Sequence, residues 1–294
     1  TPMPRPQPLL LLAPAFLAMA WLISRAQWFW RHNPDLQFGW IVVLLCGYLF
    51  WEAWQTRPEA DWKPRVWAVP IGLAGLGMLF VVQIYQAFLG ANAASTVGLA
   101  LGLMLVIVAN LGIVFGWPGI RDFGMAFVFI LIAMPMPSAV QGPVVGGLQS
   151  LVARFNVELL NLIGIPAQQI GSLIHLPNGT VGIDEACSGV RSLQSTIMAA
   201  IFIGYVSLKR NSLRLVLFGA GVILAIVGNI GRSLYLSLMA HWRGMDAIER
   251  VHDAAGWSVL AFTAAGVILL SWIIGRAEKA VQTAAAARAQ TDDD

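Results

Sequence analysis

Charge is scarce in this chain: Asp, Glu, Lys and Arg together make up only 11% of its 294 residues. Soluble domains carry about 25% charged residues, whereas here hydrophobic residues reach 58%. So few charges exclude a large water-soluble domain, and we predict a membrane protein. The net charge of +3 comes from basic residues in short loops between apolar runs, where they indicate orientation and not nucleic-acid binding.

Cysteine is nearly absent as well, with one residue inside an apolar run, Cys46, and one after an acidic, turn-rich loop, Cys187. Two cysteines allow at most one disulfide bond, and they do not form the Cys-x-x-Cys pair that is typical of zinc and redox sites. We therefore expect no metal site and no other cofactor.

Long apolar runs occupy nearly the whole length, and each is long enough, at about 20 residues, to cross a hydrocarbon core of about 30 Å. We predict an all-α polytopic membrane protein in which residues 1–294 form a single membrane-embedded domain. About eight transmembrane helices are expected, near residues 8–24, 38–55, 66–88, 95–117, 121–135, 187–207, 212–238 and 252–275.

The segment between the fifth and sixth spans, residues 138–186, has a different pattern. Its first half repeats apolar residues at helical spacing around polar ones such as Arg154 and Glu158, which predicts an amphipathic helix at the membrane interface. Its second half places two short β-prone runs on either side of Asn178-Gly179, a pair that supplies the positive φ angles of a tight turn. We therefore predict a small β-hairpin just before the sixth span.

The distribution of basic residues predicts the orientation. With eight spans both termini share one side, and eleven Lys and Arg residues fall in the loops of that side against five in the loops of the other. The side that is richer in basic residues is the cytoplasmic one. Both termini, with the tail 276–294, are therefore expected in the cytoplasm, and the segment 138–186 is expected to be extracytoplasmic.

This orientation brings three reactive side chains to the outer face: Cys187 at the start of span six, Arg232 in the last turns of span seven and His252 at the start of span eight. A thiol, a guanidinium and an imidazole are the groups of an acyl-transfer site. The thiolate attacks a carbonyl, the imidazole exchanges protons, and a cation or an amide donor holds the oxyanion. We therefore predict an enzyme site at the outer face.

Two of these residues also have a plainer interpretation. Cys187 could be a small buried hydrophobic residue, although a helix N-terminus and Arg191 one turn further on both favour its thiolate. Arg232 could extend toward lipid headgroups. Against this, Asn229 lies on the same helix face as Arg232, and Gly228 and Gly231 permit a close helix approach. An arginine inside the membrane also costs up to about 3 kcal/mol.

For the histidine the sequence leaves alternatives open. His252 and Asp253 could cap the start of the last span as readily as take part in chemistry. His175, in the predicted hairpin, and His241, after span seven, could each replace His252.

In three short motifs the chain resembles the exosortase/archaeosortase family of multi-spanning membrane cysteine transpeptidases and proteases. The motifs are ACSGVRSL at residues 186–193, NIGR at 229–232 and HDAAGW at 252–257, in the order and approximate spacing of the family. Supporting features extend the resemblance over about residues 33–275. The stretch QFGW at 37–40 lacks a histidine that many members have before its glycine, so the subfamily stays open.

The resemblance implies a processing enzyme of the prokaryotic cytoplasmic (inner) membrane, with its active site on the extracytoplasmic side. Such enzymes recognise secreted proteins by a C-terminal sorting signal, which consists of a short motif such as Pro-Glu-Pro (PEP-CTERM), a transmembrane helix and a basic tail. They cleave it through a cysteine thioester and release or transfer the product. The expected partners are signal-bearing proteins, membrane lipid and a lipid- or polysaccharide-linked acceptor.

By the same resemblance Cys187 is the nucleophile, Arg232 the oxyanion or substrate-positioning cation and His252 the general acid/base. Supporting or substrate-positioning roles are expected for Ser188, Arg191, Asn229 and Asp253.

Two other classes of protein fit parts of the pattern. A transporter also has many spans and polar groups within the membrane, but here the polar groups gather at one face instead of the midplane. A structural component of polysaccharide export machinery would not need the three reactive side chains. Both remain alternatives to the enzyme.

Overall fold

A computed structural model of the chain describes residues 8–58, 65–182 and 190–292. The chain divides into two compact units, Thr1–Gln141 and Gly142–Asp294. That residues 1–294 act as one membrane-embedded domain stays a prediction.

Helices dominate both units, as the apolar runs predict. The first unit contains α1 (Pro8–Leu11), α2 (Ala13–His32), α3 (Gly39–Gln55), α4 (Ala68–Leu89), α5 (Ala93–Phe115) and α6 (Trp117–Val128), with 3-10 turns at Pro34–Leu36 and Phe129–Ala133. The second contains most of α7 (Ser138–Leu162), then α8 (Val190–Ser207), α9 (Asn211–Arg243) and α10 (Asp246–Asp292).

Five of the described helices are long and apolar enough to cross a membrane, and a bent pair makes a sixth if it counts as one span. The chain is therefore an all-α, multi-pass membrane protein. The helices Ala13–His32 and Val190–Ser207 correspond to the first and sixth predicted spans but are not among the five, so the total of eight stays a prediction. The five are Pro34–Gln55, Ala68–Leu89, Ala93–Phe115, Asn211–Arg243 and Asp246–Ala285, and the pair is Trp117–Ala133 with Ser138–Leu162.

Several helices extend beyond the spans that hydropathy predicts. An apolar window marks only the part of a helix that suits lipid, whereas the backbone hydrogen bonds continue until a residue breaks them. In α9 that residue is Gly244, with φ +86°, and α2 likewise continues to His32. His241 is consequently part of α9 and not of a loop, and Arg232 lies about three turns before the helix end, not in its last turns.

The last helix differs most from its predicted span, 252–275. It begins at Asp246, six residues before His252, and continues through the predicted tail to Asp292. Asp246 and Glu249 lie in its first turn, where carboxylates interact favourably with the free amides. His252 is therefore in the second turn and does not cap the helix.

Glycine permits a close contact between two helices of the first unit. A Cβ atom on Gly75 of α4 would lie 2.9 Å from the carbonyl oxygen of Gly102 in α5, so only glycine permits this approach. Elsewhere in the unit the buried Trp30 donates its indole N–H to the carbonyl oxygen of Ala133 over 2.8 Å. These contacts hold together the first unit, which contains none of the proposed reactive residues.

Helix α7 has the amphipathic pattern that its sequence predicts. Val145, Val152, Ala153 and Leu160 are buried on one face, while Arg154 and Glu158 on the exposed face are joined by a 3.1 Å ion pair. Its place at the membrane interface stays a prediction.

Three short strands follow α7 in an antiparallel sheet of order β1–β2–β3. They are Gln168–Ile170, Leu173–Leu176 and Gly179–Gly182. Strands β2 and β3 form a hairpin near Asn178-Gly179, but its turn residues are Pro177 and Asn178, because Leu176 pairs with Gly179. Asn178 does not have a positive φ; the fixed φ of proline, near −65°, excludes the mirror-image turn that Asn-Gly favours.

The hairpin is anchored on the second half of α9. The Asn178 amide donates to the carbonyl oxygen of His241 over 2.9 Å, and the buried side chains of Ile174 and Val181 belong to one apolar cluster with Leu236 and Ala240 of α9. Strand β3 thus ends at residue 182 beside the C-terminal half of α9.

Helices α8, α9 and α10 form an antiparallel group around a second apolar cluster, made of Ala200, Leu208, Leu217 and Val267. At the turn between α8 and α9, the buried Glu278 of α10 accepts the backbone N–H groups of Lys209 and Arg210 at 3.1 and 2.9 Å. The carboxylate thereby satisfies donors that precede α9.

We expect Glu278→Ala to lower the free energy of unfolding by about 1–3 kcal/mol, because it leaves two backbone donors without their charged acceptor. Thermal unfolding in detergent would measure the loss. The control is Glu158→Ala, which removes only an exposed ion pair and is expected to cost less than about 1 kcal/mol. Equal effects of the two substitutions would contradict the capping role.

Candidate active site

Arg232 and His252 meet across the contact between α9 and α10. One terminal guanidinium nitrogen, Nη2, lies 3.1 Å from the imidazole Nε2, and both residues are half-buried. The helices come close because Gly228 has no side chain: a Cβ atom there would lie 3.1 Å from Val259. Gly231, the glycine directly before Arg232, faces open space, so of these two glycines only Gly228 serves this approach.

The contact determines the protonation state of the imidazole in this arrangement. A guanidinium has donors and no acceptor, so the Arg232 N–H donates and His252 Nε2 must accept with its lone pair. The imidazole is therefore neutral with its proton on Nδ1, which lies 3.3 Å from Asp253 Oδ1. The Asp253 side chain is 96% exposed, so its orienting effect is small.

The described start of α8 lies at the level of this pair. A Cβ atom on Gly221 of α9 would lie 3.1 Å from Ala200 of α8, so these residues are at one level of two antiparallel helices. Ten residues back along α8 is Val190, and ten residues along α9 is Gly231, each about 15 Å away. The first turn of α8 is thus level with Arg232.

Cys187 and Ser188 lie outside the described residues. Arg191, in the first turn of α8, is described and has an exposed side chain. Val190, where α8 begins, follows Cys187 by three positions in the sequence.

Asn229 is buried one turn before Arg232. Only 1% of the residue is exposed, and neither its side-chain carbonyl oxygen nor its amide nitrogen has a hydrogen-bond partner among the described residues. Buried amides are almost always paired, and an exception requires an explanation such as a ligand or a catalytic role. The same face of α9 carries the small buried residues Gly221, Ala225 and Ser233. The Asn229 amide therefore lies among small residues on the buried face of the helix.

The other two candidate histidines lie elsewhere in the unit. His175 Nδ1 is 2.8 Å from Thr180 Oγ1 across the hairpin. His241 follows Arg232 by nine residues on α9, which places it about 13 Å along the axis and on the opposite face. Of the three candidate histidines, His252 is the one in hydrogen-bond contact with Arg232.

Helix geometry adds residues that the motifs alone did not single out. Gly256, one turn after His252, faces the guanidinium, since a Cβ atom on it would lie 3.6 Å from Arg232 Nη2. Tyr235 and Ser258 line an adjoining groove with Arg232. The signal was present as the i, i+3 spacing of Tyr235 from Arg232 and the i, i+4 spacing of Gly256 from His252, but only the pairing of α9 with α10 gives it meaning.

No group of three or more His, Cys, Asp or Glu side chains that could hold a metal ion occurs within residues 8–58, 65–182 and 190–292. The polar groups that the described part of the site offers are a guanidinium, a neutral imidazole and a buried carboxamide. They can donate hydrogen bonds to an oxyanion and exchange a proton.

Comparison with known proteins shows a match to a family model. The family model described as transmembrane exosortase matches residues 30–269, which includes α3 to α9, the sheet and about half of α10. No curated protein and no solved structure matches the chain.

Proposed function

The chain belongs to the transmembrane exosortase family, and from this premise we propose that it cleaves a PEP-CTERM-like C-terminal sorting signal through a Cys187 thioester. Exosortases are membrane transpeptidases or proteases that act on secreted proteins with such signals. The observation that carries the proposal is the 3.1 Å contact between Arg232 and His252, level with the helix that begins three residues after Cys187.

In the proposed reaction His252 Nε2 accepts the Cys187 thiol proton, and the resulting thiolate attacks the carbonyl carbon of the scissile peptide bond. The tetrahedral intermediate holds its negative charge on the former carbonyl oxygen, to which Arg232 donates hydrogen bonds. His252 gives a proton to the departing amine as the C–N bond breaks, and a thioester remains. An acceptor amine or water, deprotonated by His252, then attacks the thioester and regenerates the thiolate.

The contact between Arg232 and His252 supports this division of roles. While the guanidinium donates to Nε2, that lone pair is not available for proton transfer. A turn of the guanidinium toward the substrate carbonyl would free Nε2 to accept the thiol proton and would place Arg232 where negative charge then develops. Arg232 therefore contacts His252 first and the oxyanion afterwards, so these two interactions do not compete.

The remaining residues are proposed to support these three. Asn229 is a buried donor beside the oxyanion, Asp253 holds the imidazole proton on Nδ1, and Arg191 stabilises the thiolate as a nearby cation. Ser188, next to the nucleophile, is assigned to substrate positioning. The hairpin anchored on α9 would form an edge or lid for the substrate.

The proposed site faces the extracytoplasmic side of a prokaryotic inner membrane, with both termini in the cytoplasm. The family and the apolar helices fit a multi-pass prokaryotic membrane protein, and the excess of basic residues supports the orientation. The acceptor that resolves the thioester is proposed to be linked to lipid or polysaccharide.

Alkylation of Cys187 by a membrane-impermeant reagent on right-side-out vesicles tests the proposal without a substrate. We expect fast labelling with a pH midpoint below the value of about 8.5 for a free thiol, and an altered midpoint in Arg232→Ala and His252→Ala. Cys46, which is buried in α3, is the internal control. Labelling of Cys187 as slow as that of Cys46, and unchanged by either substitution, would exclude an activated external thiol.

A further inference from the structure

A groove of about 640 Å³ lies between α9 and α10 and is continuous with the candidate active site through Arg232. It extends over residues 227–235 of α9 and 254–262 of α10, which corresponds to about 12 Å, or two helical turns. Val227, Val259 and Phe262 line one end, and Arg232 and Tyr235 line the other. The remaining lining residues are small: Gly228, Gly231, Ala254, Ala255 and Ser258.

The groove opens away from the helix group. Val227, Tyr235 and Phe262 are 53%, 43% and 47% exposed, although all three are large and largely apolar. Since α9 and α10 are both candidate membrane spans, the open side of the groove faces lipid when the chain is in a bilayer. A ligand can thus enter sideways from the membrane.

We propose that this groove docks the apolar helix of the substrate's sorting signal and holds its outer end at Arg232. The inference rests on the proposed function and specifies where that substrate binds. Small residues contributed by two helices allow the backbone of a third to approach closely, which is how helices associate in lipid. A flexible lipid chain would not require these small residues on both helices.

The charges of the groove agree with this occupant. Among the described residues that line it, Arg232 is the one that is ionised, and none is acidic. The apolar part therefore suits an uncharged helix, whereas the end at Arg232 suits the carbonyl or carboxylate groups of the extended segment next to the helix. Docking would confine the scissile bond near the reactive groups, and such confinement supplies a large part of a catalysed rate.

Gly231 provides a test that leaves the fold intact. A Cβ atom at this position meets nothing within 4 Å, so a larger side chain fits without moving α9 from α10 but occupies the groove. Gly219 is the matched control, because it lies on the same helix, also meets nothing within 4 Å and does not line the groove. In both positions the substitution raises helix propensity.

The first arm measures turnover of a secreted reporter that carries a sorting signal and is processed by the wild-type chain. We expect Gly231→Leu to lower kcat/KM by about tenfold or more, since small displacements of a substrate have effects of this size, and Gly219→Leu to change it less than about twofold. Alkylation of Cys187 should be the same in both variants. Equal turnover by Gly231→Leu and wild type would overturn the proposal that the substrate helix docks in the groove and would leave the proposed function intact.

The second arm measures docking without chemistry, in a chain that also carries Cys46→Ala and Cys187→Ala. A cysteine is placed at Gly231, or at Gly219 as the control, and a series of single cysteines is placed along the reporter helix. We expect cross-linking from Gly231→Cys at helical spacing along the reporter and none above background from Gly219→Cys. Cross-linking without any turnover by wild type would retain the groove and reject the reaction; no preference for Gly231→Cys would reject the groove.

Discussion

Replacing Cys187 by alanine is expected to abolish processing of a signal-bearing reporter, with a fall in rate of about 10³-fold or more. Removal of a nucleophile has effects of this size because binding and oxyanion stabilisation alone leave little of the catalysed rate. The measurement is the fraction of reporter that is shortened in membranes at fixed times. Arg232 and His252 stay in place in this variant, so it isolates the bond-forming step.

Cys46→Ala is the matched control, since it removes the other cysteine of the chain from a buried position in α3. It should leave the processing rate unchanged. If the Cys187→Ala variant retained or increased processing, the thioester mechanism would be wrong. A chain whose phenotype survives loss of all three residues would instead be a transporter or a scaffold for polysaccharide export.

Asn229→Leu is expected to make the protein more stable and less active. The substitution removes two buried polar atoms that have no partner within the described part of the chain and keeps a similar volume, so the free energy of unfolding should rise by about 1–3 kcal/mol. If the amide donates to the oxyanion, the processing rate should fall by about 10²-fold. Thermal unfolding in detergent and reporter processing would measure the two effects on the same preparation.

Ser237→Ala separates these effects. Ser237 is also buried on α9, and its hydroxyl group has no hydrogen-bond partner in residues 8–58, 65–182 and 190–292, but it lies about two turns beyond Asn229. We expect a gain in stability and an unchanged processing rate. Loss of stability in Asn229→Leu would show that the amide is structurally paired, and unchanged activity would remove it from the reaction.

The helical membrane architecture could be predicted because it depends on local properties of the sequence. Apolar runs of helix length favour transmembrane helices wherever they occur, and they gave the cores of α3, α4, α5 and α9 nearly correctly. Helix ends could not be predicted from hydropathy, since α10 begins with the polar stretch after Gly244 and continues past the apolar run. The turn of the hairpin likewise depended on Pro177 as well as on Asn178-Gly179.

By itself the sequence determined that this is a helical membrane protein of the exosortase family, with Arg232 and His252 as candidate partners. Only the tertiary structure shows which histidine contacts Arg232: His252 reaches it, whereas His175 contacts Thr180 and His241 lies further along α9 on the opposite face. It also shows that Asn229 is buried with no partner among the described residues and that a groove adjoins Arg232. The physical reason is that these features depend on the level at which neighbouring helices pair, which Gly228 and Gly221 set through close approach and which no single run of residues contains.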